Sequence, residues 1–284
     1  MTSRRELLAD ATARLAAVSD SARLDAQVLL AHVLDCERSA LITHENEAVT
    51  GAAAETFHAL LARRQRGEPV AYLTGRREFW SLSMTVTPAV LIPRPETELL
   101  VELALRRLPS GHACEVLDLG TGSGAIALAL ATERPAAHIT GCDASAAALA
   151  VARSNAQRLS LAQVRFREGD WFEAVPGERF DLVVCNPPYV SAADPHMAAL
   201  HTEPAAALTP GPTGLEAFER IVPASPAHLR EGGWLLLEHG ADQAAAVQNL
   251  LEHHGFHDVT SHPDASGTPR VTLGSFHSNH QGLP

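Results

Sequence analysis

The run Val116-Leu117-Asp118-Leu119-Gly120-Thr121-Gly122-Ser123-Gly124-Ala125 constrains the fold of this chain more than any other segment. An apolar strand ends in a turn with glycine at every second position, and the apolar run Ala125–Ala131 then begins a helix. Glycine lets the backbone take positive φ and lets a ligand approach closely. The helix N-terminus beyond it offers free N–H groups to an anion. The spacing Gly120-x-Gly122-x-x-Ala125 also satisfies the dinucleotide fingerprint with alanine in the last place. The pattern alone therefore leaves the ligand open, and a strand-to-helix turn with no ligand would read the same way.

Around this turn, strands and helices alternate. Strands are predicted at Glu115–Leu119, His138–Cys142, Val164–Arg167, Phe180–Cys185 and Trp234–Leu237, with two more at 257–261 and 270–274. Helices are predicted at Gly124–Thr132, Ser145–Leu159, Leu215–Leu229 and Gln243–His254. Such alternation predicts an α/β fold with a doubly wound, mostly parallel sheet of seven strands, Rossmann-like in plan.

The first 74 residues differ. Leu7, Leu8, Leu15 and Val18, then Leu24, Val28, Leu29, Val33 and Leu34, then Phe57, Leu60 and Leu61 recur at spacings of three and four. That is the helical period, and it predicts a small helical bundle. Thr50-Gly51 marks the start of the third helix and Arg63–Gly67 its end. No catalytic constellation stands out there, which favours a docking role. In 75–92, Phe79, Trp80, Leu82, Met84, Val86 and Val90 alternate loosely with Ser and Thr, as in a β-hairpin linker. Pro93-Arg94-Pro95 stops it, and a helix begins at Glu96. The expected organisation is a helical docking domain at 1–74, the linker at 75–92 and a catalytic domain at 93–284. The tail from Ser275 (SFHSNHQGLP) shows no pattern and is read as frayed.

Composition narrows the function. Lys and Arg number 22 and Asp and Glu 33, a net charge of −11. Binding to phosphate backbones rests on cationic side chains, so direct nucleic-acid binding is not expected. A membrane span needs about 20 consecutive apolar residues, and the longest run is Ala125–Ala131. Asp10, Arg14 and Asp20 interrupt any signal-peptide core, so a soluble cytoplasmic protein without membrane attachment is expected. Cys36, Cys114, Cys142 and Cys185 form no CxxC pair, and Cys142 and Cys185 read as buried free thiols. There is no HExxH among the 15 histidines; His253, His254, His277 and His280 read as surface residues, and no metal is expected.

Three further motifs carry chemistry. Asp143 ends the second strand of the sheet about 20 residues after the glycine turn, where an acid can accept both hydroxyls of a ribose. Nicotinamide cofactors and S-adenosylmethionine both contain that ribose, and Asp143 also suits a helix N-cap. Asp170-Trp171 follows the third strand, where an acid can bond the edge of a purine and an aromatic ring can pack on its face. Most telling is Asn186-Pro187-Pro188-Tyr189 after Phe180–Cys185. The prolines lock φ and remove two N–H donors. The Asn186 side-chain oxygen and the Pro187 carbonyl can then accept the two hydrogens of a planar NH2 group, with Tyr189 stacking on it.

With these motifs the chain resembles class I S-adenosylmethionine-dependent methyltransferases that carry an NPPY motif. More closely, it resembles the release-factor glutamine methyltransferases (the PrmC or HemK family). Glu68–Gly75 with Arg77–Trp80, Leu91–Glu98, Gly120–Ala127, Gly169–Phe172, Asn186–Val190, Glu203-Pro204 and Gly232-Gly233 all fall where that family has its motifs. The resemblance implies that Gly120, Thr121, Gly122, Ser123 and Gly124 cradle the methionine part of S-adenosylmethionine. It implies that Asp143 holds the ribose, that Asp170 and Trp171 flank the adenine, and that Asn186 touches both cofactor and substrate. Asn186, Pro187, Pro188 and Tyr189 would hold the substrate amide, with Asn186, Pro187 and Tyr189 serving catalysis. The implied substrate is the glutamine of the Gly-Gly-Gln tripeptide in class I peptide chain release factors. Two segments depart from the family. Thr213-Gly214-Leu215-Glu216 stands where Asp-Gly-Leu-Asp is usual, and Asp264–Arg270 varies an Asp-Leu-x-Gly-x-x-Arg pattern. Neither lies in the methyl-transfer motif.

Three rival readings remain at this level. An adenine-N6 methyltransferase acting on DNA or RNA would use NPPY equally well but must hold phosphates. A nicotinamide-dependent oxidoreductase explains the glycine turn and leaves NPPY without a use. A catalytically dead adaptor would not need both motifs intact.

Overall fold

The computed structural model describes residues 2–198 and 200–278. The chain divides into two compact units between Arg76 and Arg77.

The first unit is helical. α1 (Arg4–Leu15) begins with a capping box: the Ser3 side chain accepts from the Glu6 N–H, and the Glu6 carboxylate accepts from the Ser3 N–H at 2.8 Å. This pairs two of the N–H groups that a helix start leaves unbonded. α2 (Ala22–Leu34), α3 (Arg38–Thr43), α4 (Gly51–Gln65) and α5 (Val70–Thr74) follow. Leu7, Leu15, Leu29, Leu30, Leu41, Phe57 and Leu61 form the core. Val18 and Leu24, expected on the apolar stripe, are instead 45% exposed. Ala22, Ala26 and Leu29 fill the inward face of α2, because small alanines let α1 and α2 approach closely. Periodicity alone did not reveal α3 and α5, which are one to two turns long.

The second unit opens with a hairpin, β1 (Arg76–Phe79) and β2 (Leu82–Thr85). Trp80 and Ser81 at its tip both have positive φ, as a two-residue hairpin turn requires. The hairpin is not free-standing. Phe79 and Met84 are buried in one cluster with Leu100, Leu103 and Leu128. The unit continues through α6 (Glu98–Arg107), β3 (Glu115–Leu119), α7 (Ala125–Glu133), β4 (His138–Asp143), α8 (Ala146–Arg158), β5 (Arg165–Glu168) and β6 (Phe180–Cys185). It ends with α9 (Glu216–His228), β7 (Leu229–Glu238), α10 (Ala244–His253), β8 (Phe256–Pro263) and β9 (Pro269–Phe276).

The sheet has seven strands in the order β5-β4-β3-β6-β7-β9-β8, and only β9 runs against its neighbours. Val116, Leu182, Val184 and Leu236 point to the face covered by α6 and α7. Leu117, Leu119, Val183, Leu235 and Leu237 point to the face covered by α9 and α10. Side chains alternate across a strand, so a sheet buried on both faces reads as unbroken apolar runs. The tail differs from its expectation. β9 runs through Phe276, and the Ser278 N–H donates to the Glu231 carboxylate at 2.9 Å. His280, with the rest of 279–284, lies outside the described residues. Among the described residues no helix is long and apolar enough to cross a membrane.

Candidate active site

The strand order reverses between β3 and β6: β4 and β5 follow on one side, β7 on the other. In doubly wound sheets ligands bind at the carboxyl ends of the strands at such a point. A cavity of about 560 Å³ opens there, within the usual range for small-molecule sites.

Its wall brings together Gly120, Thr121, Gly122 and Ser123 after β3, Asp143 at the end of β4, Asp170 and Trp171 after β5, and Asn186 and Pro188 after β6. The glycine turn is held from beneath. Asp118 is fully buried, and its Oδ2 accepts from the Thr121 hydroxyl at 2.7 Å and from the Ala127 N–H at 3.2 Å. Burial pushes this carboxyl up to about 7, against those two donors, which favour its charged form. From the side, Asp143 Oδ2 accepts from the Gly122 N–H at 2.9 Å and its Oδ1 from the Ser145 N–H at 2.8 Å. Each carboxylate oxygen keeps a further lone pair for a ligand hydroxyl. Asn155, buried in α8, donates to Ser123 O at 2.9 Å and to Thr85 O at 3.0 Å, tying the turn to β2.

Three expected site residues stand elsewhere. Gly124 does not line the cavity. A Cβ there would lie 3.2 Å from Leu128 Cδ1 and 3.3 Å from Ala152 Cβ, so this glycine lets α7 and α8 pack. Pro187 is buried behind the wall. Tyr189 packs on the α9 side of the sheet, and its hydroxyl donates to Glu238 Oε1 at 3.3 Å, so its ring is not a cavity wall. Burial, followed by the nearby Glu238, raises the phenol and keeps it a donor.

Reading the sequence also missed part of the wall. Arg94 and Thr97, from the turn leading into α6, line it. Arg94 pairs with Glu203, whose buried carboxylate also accepts from the Ile92 N–H at 3.1 Å. Asn186 Nδ2 donates to Thr97 Oγ1 at 3.1 Å. Asp170 pairs with Arg220 of α9 at 2.5 Å, and Arg220 lines the cavity as well. The family-like segment Leu91–Glu98 was the available signal for Arg94 and Thr97.

The sheet order and the position of the cleft are those of the class I methyltransferase fold. A solved methyltransferase from Pyrococcus furiosus shares the fold at a TM-score of 0.53 and 20% identity, over 76% of this chain and 96% of that one. Residues 6–75 match the model of the PrmC N-terminal domain, and 96–261 match that of the methyltransferase small domain. The release factor glutamine methyltransferase of Xylella fastidiosa strain Temecula1 is 52% identical over 94% of this chain and 96% of its own length. The one from Coxiella burnetii is 42% identical over 96% and 99%. The chain belongs to the release factor glutamine methyltransferase family.

Proposed function

We propose that this chain moves a methyl group from S-adenosylmethionine to the side-chain amide nitrogen of the Gly-Gly-Gln glutamine in class I peptide chain release factors. The products are N5-methylglutamine and S-adenosylhomocysteine. The observation that carries this reading is that the glycine turn and Asn186 of the NPPY motif line one cavity, from adjacent strand ends, in a chain of this family.

The residues present fit the cofactor. Gly122 has φ +54°, and the nearest heavy atom to a Cβ built there is Gly120 O at 4.0 Å, so any side chain would occupy the cavity. Asp143 stands at the end of β4 with acceptor capacity left for ribose hydroxyls. The indole Nε1 of Trp171 is a buried donor without a protein partner. When bound, S-adenosylmethionine supplies a methyl group already activated by a sulfonium. The protein's share is then orientation. An amide nitrogen is a poor nucleophile because its lone pair is delocalised into the carbonyl. Holding it in line can contribute up to roughly 7–11 kcal/mol. Asn186 gives its NH2 to Thr97, which leaves Oδ1 to accept a substrate amide hydrogen and to favour the charge developing on nitrogen.

Isothermal titration calorimetry tests the cofactor assignment. S-adenosylhomocysteine should bind and NADH should not; binding of NADH alone would overturn it. The first unit is assigned to docking the release factor, because no cavity residue comes from it. In addition, the exposed large apolar side chains among the described residues, Val18, Leu24 and Ile42, all lie there. Changing Val18 and Leu24 together to aspartate should raise KM for a full-length release factor about tenfold, from lost apolar contact. The affinity for S-adenosylhomocysteine should stay unchanged. An unaltered KM in the double variant would remove the docking role.

A further inference from the structure

The glycines that leave room for a ligand also leave their turn free to change shape. Gly122 and Gly124, with φ +54° and +83°, stand on either side of Ser123. The peptide between Ser123 and Gly124 is nevertheless held at both ends. The Gly124 N–H donates to Thr121 O at 2.8 Å, within the turn. Ser123 is buried, and its carbonyl accepts from Asn155 Nδ2 at 2.9 Å, across 32 residues of chain. The fastener of the turn therefore comes from outside it.

Asn155 is fully buried in α8. Its other bonds go to the hairpin and to its own helix. Oδ1 accepts from the Thr85 N–H at 2.7 Å and from Arg158 at 3.2 Å, and Nδ2 also donates to Thr85 O at 3.0 Å. An asparagine amide has two donor hydrogens and two acceptor lone pairs, and here all four are used. Toward Thr85 the side chain acts as a neighbouring strand would, which accounts for the hairpin alone. The Ser123 bond reaches the site. Ser123 lines the cavity, and so do Ala89, Val90 and Leu91, a few residues after Thr85. We propose that Asn155 is a positioning residue for S-adenosylmethionine: by holding Ser123 O and Thr85 from one side chain, it keeps the glycine turn in its ligand-ready shape, at a fixed spacing from the 89–91 wall, before any ligand arrives. The inference rests on the reading above, in which the glycine turn cradles the cofactor.

The effect belongs to binding. A turn that is already fixed loses less freedom when the ligand enters, and pre-organisation of this kind raises affinity without a new contact. Without the Asn155 donor, the Ser123 carbonyl is either buried unpaired, which is costly, or turned over, which the glycine beside it makes easy. Arg158 separates the two duties of Asn155. It donates to Ser83 O and so grips β2 from the same helix, while its bonds go to β2 and to Asn155 and not to the glycine turn.

The test uses three variants of the full chain. Asn155→Leu removes every bond of the side chain. Asn155→Asp keeps its size and its acceptor for Thr85 but has no hydrogen for Ser123 O, and it carries the test if the leucine variant does not fold. In both, Kd for S-adenosylhomocysteine and KM for S-adenosylmethionine should rise about tenfold, the order of one buried hydrogen bond. Turnover at saturating cofactor should stay within about threefold of wild type, and Arg158→Ala should leave Kd within about twofold. Nuclear magnetic resonance reads the turn without substrate. The chain has three Ser-Gly pairs, Ser110-Gly111, Ser123-Gly124 and Ser266-Gly267, so 13C-carbonyl serine combined with 15N glycine gives three linked signals. Ser110→Ala and Ser266→Ala each remove one and so identify that of Ser123. Its carbonyl signal should move upfield in both Asn155 variants, as loss of a hydrogen bond requires, and stay in place in Arg158→Ala. An unmoved Ser123 carbonyl in the Asn155 variants, a folded Asn155→Asp variant that binds as wild type does, or an Arg158→Ala variant that binds as weakly as Asn155→Asp would each overturn the inference. The functional reading fails separately, if wild-type protein binds no S-adenosylhomocysteine; the carbonyl signal would still decide whether Asn155 holds the turn.

Discussion

Asn186→Ala is expected to cut turnover on a release factor by about 10²–10³ while S-adenosylhomocysteine binds nearly as before. The loss falls on kcat because the missing oxygen is used when positive charge develops on the substrate nitrogen. The cofactor contacts assigned to the glycine turn and Asp143 come from other strands and stay in place. Initial-rate kinetics and calorimetry on the same preparation separate the two effects. If binding of the cofactor product and turnover fell together, Asn186 would be part of the cofactor pocket first and of the amide site second. A variant with wild-type kcat would remove the assigned acceptor altogether.

Gly214→Ala is expected to damage both stability and rate. Gly214 has φ +79°, and an added Cβ would lie 2.4 Å from Tyr189 O, 2.9 Å from Gln243 Nε2 and 3.2 Å from the Ser191 N. Gln243 ties these pieces together: its Nε2 donates to Tyr189 O at 3.0 Å and to Gly214 O at 3.2 Å, and its Oε1 accepts from the Gly240 N–H at 2.8 Å. The left-handed conformation alone costs an alanine roughly 1–2 kcal/mol. The backbone of Tyr189 must also move, which carries the total to about 3 kcal/mol or more, among the larger single-site effects. At about 2–4 °C per kcal/mol for a domain of this size, Tm should fall by roughly 6–12 °C. Because the displaced carbonyl belongs to the NPPY motif, kcat should fall as well. Gly177→Ala is the control: φ is +74°, but nothing stands within 4 Å of the added Cβ, so only the conformational cost of roughly 1–2 kcal/mol applies. Equal Tm values for the two variants would show that the contact with Tyr189 O carries no weight.

What could be read from the sequence has a physical pattern. The sheet was legible because both its faces are buried, so Leu182–Cys185 and Leu235–Leu237 are continuous apolar runs and Val116–Leu119 is broken only by the buried Asp118. The ligand-facing turns were legible because their chemistry sits in consecutive residues at strand ends: Gly120–Ser123, Asp143, Asp170-Trp171 and Asn186. What was not legible depends on contacts between distant segments. Thr97 meets Asn186 across 89 residues, Tyr189 meets Glu238 across 49, and Arg94 meets Glu203 across 109. No local spacing signals such pairs. Tyr189 shows the same limit: an aromatic beside NPP reads as a stacking surface until β7 places a buried carboxylate against its hydroxyl. Gly124 is similar, since the glycine pattern does not say which glycine faces a ligand and which faces a neighbouring helix. In the first unit the period of three and four was right for helices. It did not say that alanines, rather than Val18 and Leu24, face the core.

The most direct test of the account is methyl transfer to a class I release factor, followed by mass spectrometry of its Gly-Gly-Gln peptide. With isotope-labelled S-adenosylmethionine, the account predicts one labelled methyl group on the glutamine side chain, none on a release factor in which that glutamine is replaced, and none on duplex DNA. An unlabelled release factor together with labelled DNA or RNA would contradict it and would assign the NPPY site to an adenine amino group instead.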